Sequence, residues 1–262
     1  RLNQFIAGEA ITKDLNPHYG SIQKLHARNT DLVVLCEDKC LKVLANKDAL
    51  YEASGNPQLT ATNRVLGQAI PFIGEYGIST NPESFASYAF RVYFADKNRG
   101  AILRLSRDGL TPISDNGMKD YFKDTLPQST LILGSYDDSK GIYNLTLNNQ
   151  TVSYDEKVNG FPSFKSFIPE AAVSLNNKYY SFKNGNIWVH TNELRNRFYD
   201  TSGGQDDATK YYESSVRLLI NDLPEAIKGF KTINYSGSKS KIYTNTYTTD
   251  GNGDIDGGSS AI

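Results

Sequence analysis

Apolar residues recur along this chain in short runs, and turn residues separate the runs. Leu32–Cys36 and Cys40–Leu44 flank Glu37, Asp38 and Lys39. Tyr88–Ala95 and Ala101–Ser106 flank the stretch from Asp96 to Gly100. Leu131–Tyr136 and Ile142–Leu147 flank the stretch from Asp137 to Gly141, and Thr151–Asp155 follows across Asn148, Asn149 and Gln150. Ala172–Leu175, Tyr179–Lys183 and Asn186–His190 read as three strands turned at Asn176-Asn177 and Asn184-Gly185. Ser215–Ile220, Gly229–Tyr235 and Lys241–Thr248 complete the set. Alternation within Val92-Tyr93-Phe94 and Ile102-Leu103-Arg104-Leu105 lets every second residue face one side. Asn, Asp and Gly supply the positive φ that tight hairpins demand.

Helical periodicity is scarce. It predicts short helices over Lys47–Ala53, Asn116–Thr125 and Glu193–Tyr199. In the second, Asp115 or Asn116 caps the start, Met118, Tyr121 and Phe122 share a face, and Pro127 bars extension. The hairpin-length connectors predict an all-β fold of antiparallel meander sheets. Turns near Asp38, Asn98, Ser139 and Gly185 lie about 60, 41 and 46 residues apart, gaps that approach the length of a four-stranded propeller blade, about 40–50 residues. The expected architecture is therefore β-propeller-like, with a β-sandwich as the alternative. One β-rich domain, or a fragment of a larger propeller-containing protein, accounts for residues 1–262. Residues 200–210 read as a surface loop and 249–262 as a flexible Gly- and Asp-rich end. The start at Arg1 and the ending DGNGDIDGGSSAI suggest a piece of a longer polypeptide or a processed product.

Composition narrows the function classes. The 262 residues carry 28 basic and 29 acidic side chains, 17 Tyr and 12 Phe. A chain so aromatic and so weakly charged is not disordered. Its net charge of −1 gives no reason to expect a nucleic-acid surface or an anionic-membrane surface. No apolar run reaches the roughly 18 residues that a membrane-spanning helix needs. Tyr-rich sheets suit subunit contacts, or glycan binding if rings gather on one face.

Candidate chemistry is thin. His18, His26 and His190 have no neighbours at metal-ligand spacing. Cys36 and Cys40 lack the second pair that a structural zinc site needs. They read as two small residues on a hairpin, or as a cross-strand disulfide. No nucleophile elbow, zinc-binding HExxH helix or phosphate loop occurs. The acid pairs Asp137-Asp138, Asp155-Glu156 and Asp206-Asp207 sit in turns; sugar hydrolysis would need two acids about 5–10 Å apart across a cleft. Asn252, Asp254, Asp256 and Gly257 offer alternating oxygens in the frame of a calcium loop, so the candidate ion is calcium. Phe161, Phe164 and Phe167 would not share one face of a strand; they pack in a core or plug one end of a sheet stack.

The most distinctive stretch is residues 88–109, YAFRVYFADKNRGAILRLSRDG, a strand, Asp turn, strand and Asp-Gly turn in order. It looks like a propeller-blade hairpin of the kind VYFxD…GxIxRLxxDG. Residues 59–86 (LTATNRVLGQAIPFIGEYGISTNPESFA), 108–122 (DGLTPISDNGMKDYF), 134–138 (GSYDD), 143–147 (YNLTL) and 163–170 (SFKSFIPE) add to the pattern. Together they resemble large virion structural proteins of tailed bacteriophages, notably crAss-like phages and marine phages of cyanobacteria and flavobacteria. The similarity runs from about Asp31 to Ile242.

The resemblance implies a non-enzymatic part of the virion, in the tail as a nozzle or muzzle component, assembled in the bacterial host cytoplasm. Its partners would be copies of itself and other tail proteins. It carries over no catalytic or cofactor-binding residues. Two alternatives stand beside it: a carbohydrate-binding or polysaccharide-depolymerising module acting on host surface glycan, and a secreted bacterial propeller.

Overall fold

The computed structural model describes residues 12–28, 31–51, 57–191, 198–199, 215, 225–227, 229, 243–249 and 255–261. The chain divides into two compact units, Arg1–Ser214 and Ser215–Ile262. The first holds four antiparallel meanders, each with its strands in sequence order. Sheet A comprises β1 (Ile22–Ala27), β2 (Asp31–Cys36), β3 (Cys40–Tyr51) and β4 (Pro57–Pro71). Sheet B comprises β5 (Ala86–Tyr88), β6 (Arg91–Asp96), β7 (Ala101–Ser106) and β8 (Gly109–Pro112). The helix α1 (Lys119–Gln128) leads into sheet C, which comprises β9 (Leu133–Asp137), β10 (Ile142–Thr146), β11 (Thr151–Asp155) and β12 (Gly160–Lys165). Sheet D has three strands, β13 (Ala171–Leu175), β14 (Lys178–Lys183) and β15 (Asn186–Val189). In the second unit, β16 (Tyr243–Thr249) pairs antiparallel with β17 (Ile255–Ala261).

The all-β reading holds, and the sheets of the first unit stack face to face. Alternation along each strand sends neighbouring residues into different interfaces. Val33, Leu35 and Cys40 of sheet A meet Val92, Phe94, Leu103 and Leu105 of sheet B around Ile78. The intervening residues Tyr93 and Ile102 face the other way, against Tyr143, Leu145, Val152 and Tyr154 of sheet C. The first strands also meet, with β9 touching both β5 and β13. Face-to-face packing suits both the propeller and the sandwich reading. No sheet or ring of sheets closes among the described residues.

Several expectations need correction. Residues 47–51 are strand, not helix: Lys47, Asp48, Ala49, Leu50 and Tyr51 pair with residues 57–61 of β4. Ladder hydrogen bonds override the helical propensity of Lys, Ala and Leu. The helix near Asn116 starts at Lys119 and runs through Pro127 to Gln128. Pro127 is tolerated because it lies in the last turn. There Ser129 satisfies freed carbonyls, its N–H donating to Leu126 O and its Oγ to Thr125 O.

Tyr88–Ala95 is broken at Ala89 and Phe90, where a hairpin turn holds Ala89 at φ +53°. The strands β1, β4, β5, β8 and β12 carry no clean alternation and were not expected. Residues 255–261 of the 249–262 end form β17. The predicted helix Glu193–Tyr199 lies outside the described residues up to position 197, as do the loop at 200–210 and nearly all of Ser215–Ile220 and Gly229–Tyr235.

Close backbone approach sets two glycines. A Cβ on Gly77 would lie 2.0 Å from Glu37 O, and one on Gly134 would lie 1.8 Å from Ser84 O. Gly134→Ala should therefore force sheets B and C apart and cost more than about 3 kcal/mol. Gly160→Ala, whose nearest added contact is 3.8 Å away, should cost under about 1 kcal/mol. Urea midpoints at constant m distinguish the two.

Candidate functional site

The polar side chains of the first unit concentrate where sheets meet, and burial dictates what they do there. Asp96 is wholly buried at the end of β6. Its Oδ2 accepts from Gly77 N–H at 3.1 Å, and its Oδ1 accepts from Ser79 Oγ at 3.0 Å. Arg99 adds its own N–H to Oδ1 at 3.0 Å and its guanidinium to Oδ2 at 3.1 Å. The same guanidinium reaches Asp38 of the β2–β3 turn at 3.2 Å. A carboxylate with four donors is stable without water, so this joint ties sheet A to sheet B.

Between sheets B and C the joints are phenolic. Tyr143 Oη donates to Ser84 O at 2.7 Å and Tyr93 Oη to Glu156 at 2.6 Å. Glu156 also receives Arg104 at 2.9 Å. The rings of Tyr88, Tyr136, Tyr93 and Tyr143 stack in succession at centroid separations of 4.3, 5.7 and 5.0 Å. Burial raises Tyr136 to about 12, and raises Tyr93 and Tyr143 further. Much of the tyrosine content thus bonds sheet to sheet, where the sequence suggested outward faces for subunits or glycan.

Sheet C turns hydroxyls and an amide toward sheet D: Ser135, Asn144, Thr146, Thr151 and Ser153, all buried. Ser135 Oγ and Tyr179 Oη share a hydrogen bond at 2.7 Å. Ser174 Oγ donates to Tyr136 O at 2.8 Å and accepts from Asp138 N–H at 3.0 Å. Asn144 Oδ1 accepts from Ser153 Oγ at 2.6 Å and Lys165 Nζ at 3.1 Å. Ser181 Oγ lies 2.6 Å from His190 Nε2. Burial, with Lys140 nearby, brings Lys165 down to about 8. Burial, with Lys140 and Lys165 nearby, brings His190 down to about 4.

A serine beside a neutral imidazole and a low-pKa amine has the makings of acyl transfer. Yet Ser181 has no exposed surface, so its hydroxyl meets no substrate in this packing. An open cleft of about 330 Å³ lies elsewhere, between the β6–β7 turn and α1. Glu75, Arg99, Asp115, Lys119 and Lys123 supply its charges.

The acid pairs are spent locally. Asp137 Oδ1 accepts from the N–H and Oγ of Ser139 and from Lys140 N–H. Asp155 accepts from Lys157 N–H, and Glu156 holds Tyr93 and Arg104. Asp206 and Asp207 lie outside the described residues.

Cys36 and Cys40 are free and buried. Leu35 pairs with Cys40, so Cys40 faces sheet B while Cys36 faces the opposite side. That places the two thiols on different faces and leaves the disulfide without geometry. Phe161 packs with Phe122 and Tyr154, while Phe167 packs with Tyr179 and His190.

Of the calcium candidates, Asn252 and Asp254 lie outside the described residues. Asp256 stands on β17 opposite Thr248, and Gly257 stands opposite Tyr247. Among the described residues, no group of three or more His, Cys, Asp or Glu side chains is arranged to hold a metal. None of the described helices is long and apolar enough to cross a membrane.

Sequence reasoning named Tyr and Asp as types but missed the joints. Asp96 and Asp137 do occupy like places, each ending a strand at an Asp-x-x-x-Gly turn, and that repeat was the available signal.

A family model for the Crassvirus muzzle protein matches residues 9–185, more than half of the chain and all of sheets A, B and C. No curated protein matches it.

The C–D seam predicts a pH profile. Lys165 and His190 both bind protons less readily folded than unfolded. Stability should therefore rise with pH from about 4 to 6.5 and again from about 8 toward 10. Above that, the buried tyrosines hold protons that the unfolded chain releases, and stability should fall. In denaturation midpoints against pH, His190→Asn should flatten the acid limb and Lys165→Met the alkaline one.

Proposed function

The chain belongs to the Crassvirus muzzle protein family, and from that premise we propose that it is a non-enzymatic building part of the phage tail. Membership makes it a structural component of a bacteriophage virion. Its finer role is to present a rigid stack of β-sheets to neighbouring subunits, copies of itself and other tail proteins. The contact of β9 with both β5 and β13 supports a blade-like, radial arrangement of the sheets.

One observation carries the non-enzymatic reading. Buried side chains able to do chemistry are already engaged, Asp96, Glu156, Tyr93 and Tyr143 between sheets and the Ser181–His190 pair within sheet D. Catalytic groups need unspent valences facing a bound molecule. Here the carboxylates and hydroxyls are satisfied by the protein itself, and their loss would loosen the stack rather than stop a reaction.

Purified particles test the proposal. Mass spectrometry should find the chain as a stoichiometric virion component, and antibody labelling should locate it on the tail. Purified protein incubated with host surface polysaccharide should release no reducing ends. Absence from particles, or steady release of reducing ends, would overturn the reading.

A further inference from the structure

The cleft between the β6–β7 turn and α1 is left with donors to spare. Its volume of about 330 Å³ falls at the lower end of the range for small-ligand sites. Close packing fixes its shape. Gly100 of the turn lies against α1, where a Cβ would come 2.6 Å from Lys123 Cα. Ser114, just before α1, lines the cleft and is only 1% exposed. Its hydroxyl nevertheless has no hydrogen-bond partner among the described residues. A hydroxyl buried that deeply ordinarily bonds to something, and here the open side is the cleft.

The charges around Ser114 are unevenly spent. Glu75 is held by Lys39 at 2.6 Å, and Asp115 faces Lys119 at 4.0 Å. Arg99 uses Nη1 for both Asp96 and Asp38, and its Nε and Nη2 have no partner among the described residues. Lys123 forms no ion pair among the described residues. Both carboxylates lining the cleft thus have a cation, while one cation has no carboxylate. The unspent groups are donors: a guanidinium edge, an ammonium and a hydroxyl. Carboxylate and phosphate oxygens accept from such a set. We propose that the cleft binds a small oxyanion, with Arg99, Ser114 and Lys123 donating to its oxygens. Glu75 and Asp115 disfavour a ligand with a second anionic group beside the first. Such binding is independent of the chain's place in the tail.

Amide NMR of the full chain, titrated at low ionic strength with inorganic phosphate or with galacturonate, tests this. At least one probe should shift the Gly100, Ser114 and Lys123 amides saturably, with a Kd on the order of 1 mM. Saturation by phosphate alone assigns the cleft to phosphates, and saturation by galacturonate alone assigns it to carboxylates; either upholds the proposal. Galactose, which lacks the carboxylate, should shift none of the three. Lys123→Gln should weaken binding about tenfold, and Ser114→Ala at least about threefold. Lys157→Gln, the same change of charge at an exposed position on the β11–β12 turn, should leave it unchanged. Amide spectra that match wild type away from the cleft establish that the variants fold. No saturable shift with either anion, galactose binding as well as galacturonate, or a Lys123→Gln variant that binds like wild type would each overturn the proposal.

Discussion

Strands buried on both faces set the terms for this structure. All five residues of β10, Ile142–Thr146, are out of solvent, as are five of the six in β6 and in β7. A strand with one wet face can turn its polar residues outward; these cannot. Every polar side chain they carry must find a partner within the protein, at a cost of about 1–3 kcal/mol for each that fails. The ladder satisfies the backbone, and what remains is solved differently at each interface.

Three solutions succeed one another along the stack. The A–B interface is largely aliphatic, pinned at one end by the Asp96–Arg99–Asp38 cluster. The B–C interface is built of tyrosine, whose ring fills space as phenylalanine would and whose hydroxyl reaches a carbonyl or carboxylate at the seam. The C–D interface is made of small hydroxyls and an amide, with a lysine and a histidine whose affinity for protons burial lowers. Apolar contact alone is forgiving of a sliding sheet, whereas hydrogen bonds have direction. A seam rich in them fixes the angle and register of one sheet on the next.

The sequence made the strands readable where alternation and turn chemistry coincide. Asn176-Asn177 and Asn184-Gly185 adopt the positive φ that their residue types imply, and the strands around them fall where expected. The misses have a common cause. At Ala89 a hairpin turns without Gly, Asn or Pro, so nothing local announces it. At residues 47–51 a helical composition yields to strand partners six to fourteen positions away. The joints were less legible still. That Asp96 ends a strand is local information; that Gly77 and Ser79 deliver their donors to it depends on a fold in which residues 17–19 positions apart converge. Composition could say that tyrosine was plentiful, but its division between interior and surface is a property of the stack.

That division bears on the proposal that an interior so rich in functional groups serves assembly rather than catalysis. A reactive site holds groups short of partners, in a place a substrate can enter, and accepts a loss of stability for it. In this molecule the gradient runs the other way. Buried polar side chains such as Asp96, Ser135 and Ser181 hold partners within the protein, while Val173, Leu175, Ile187 and Val189 on one face of sheet D are exposed. Hydrogen bonds spent between sheets are not free to act on a bound molecule, and they fix how each sheet sits on the next.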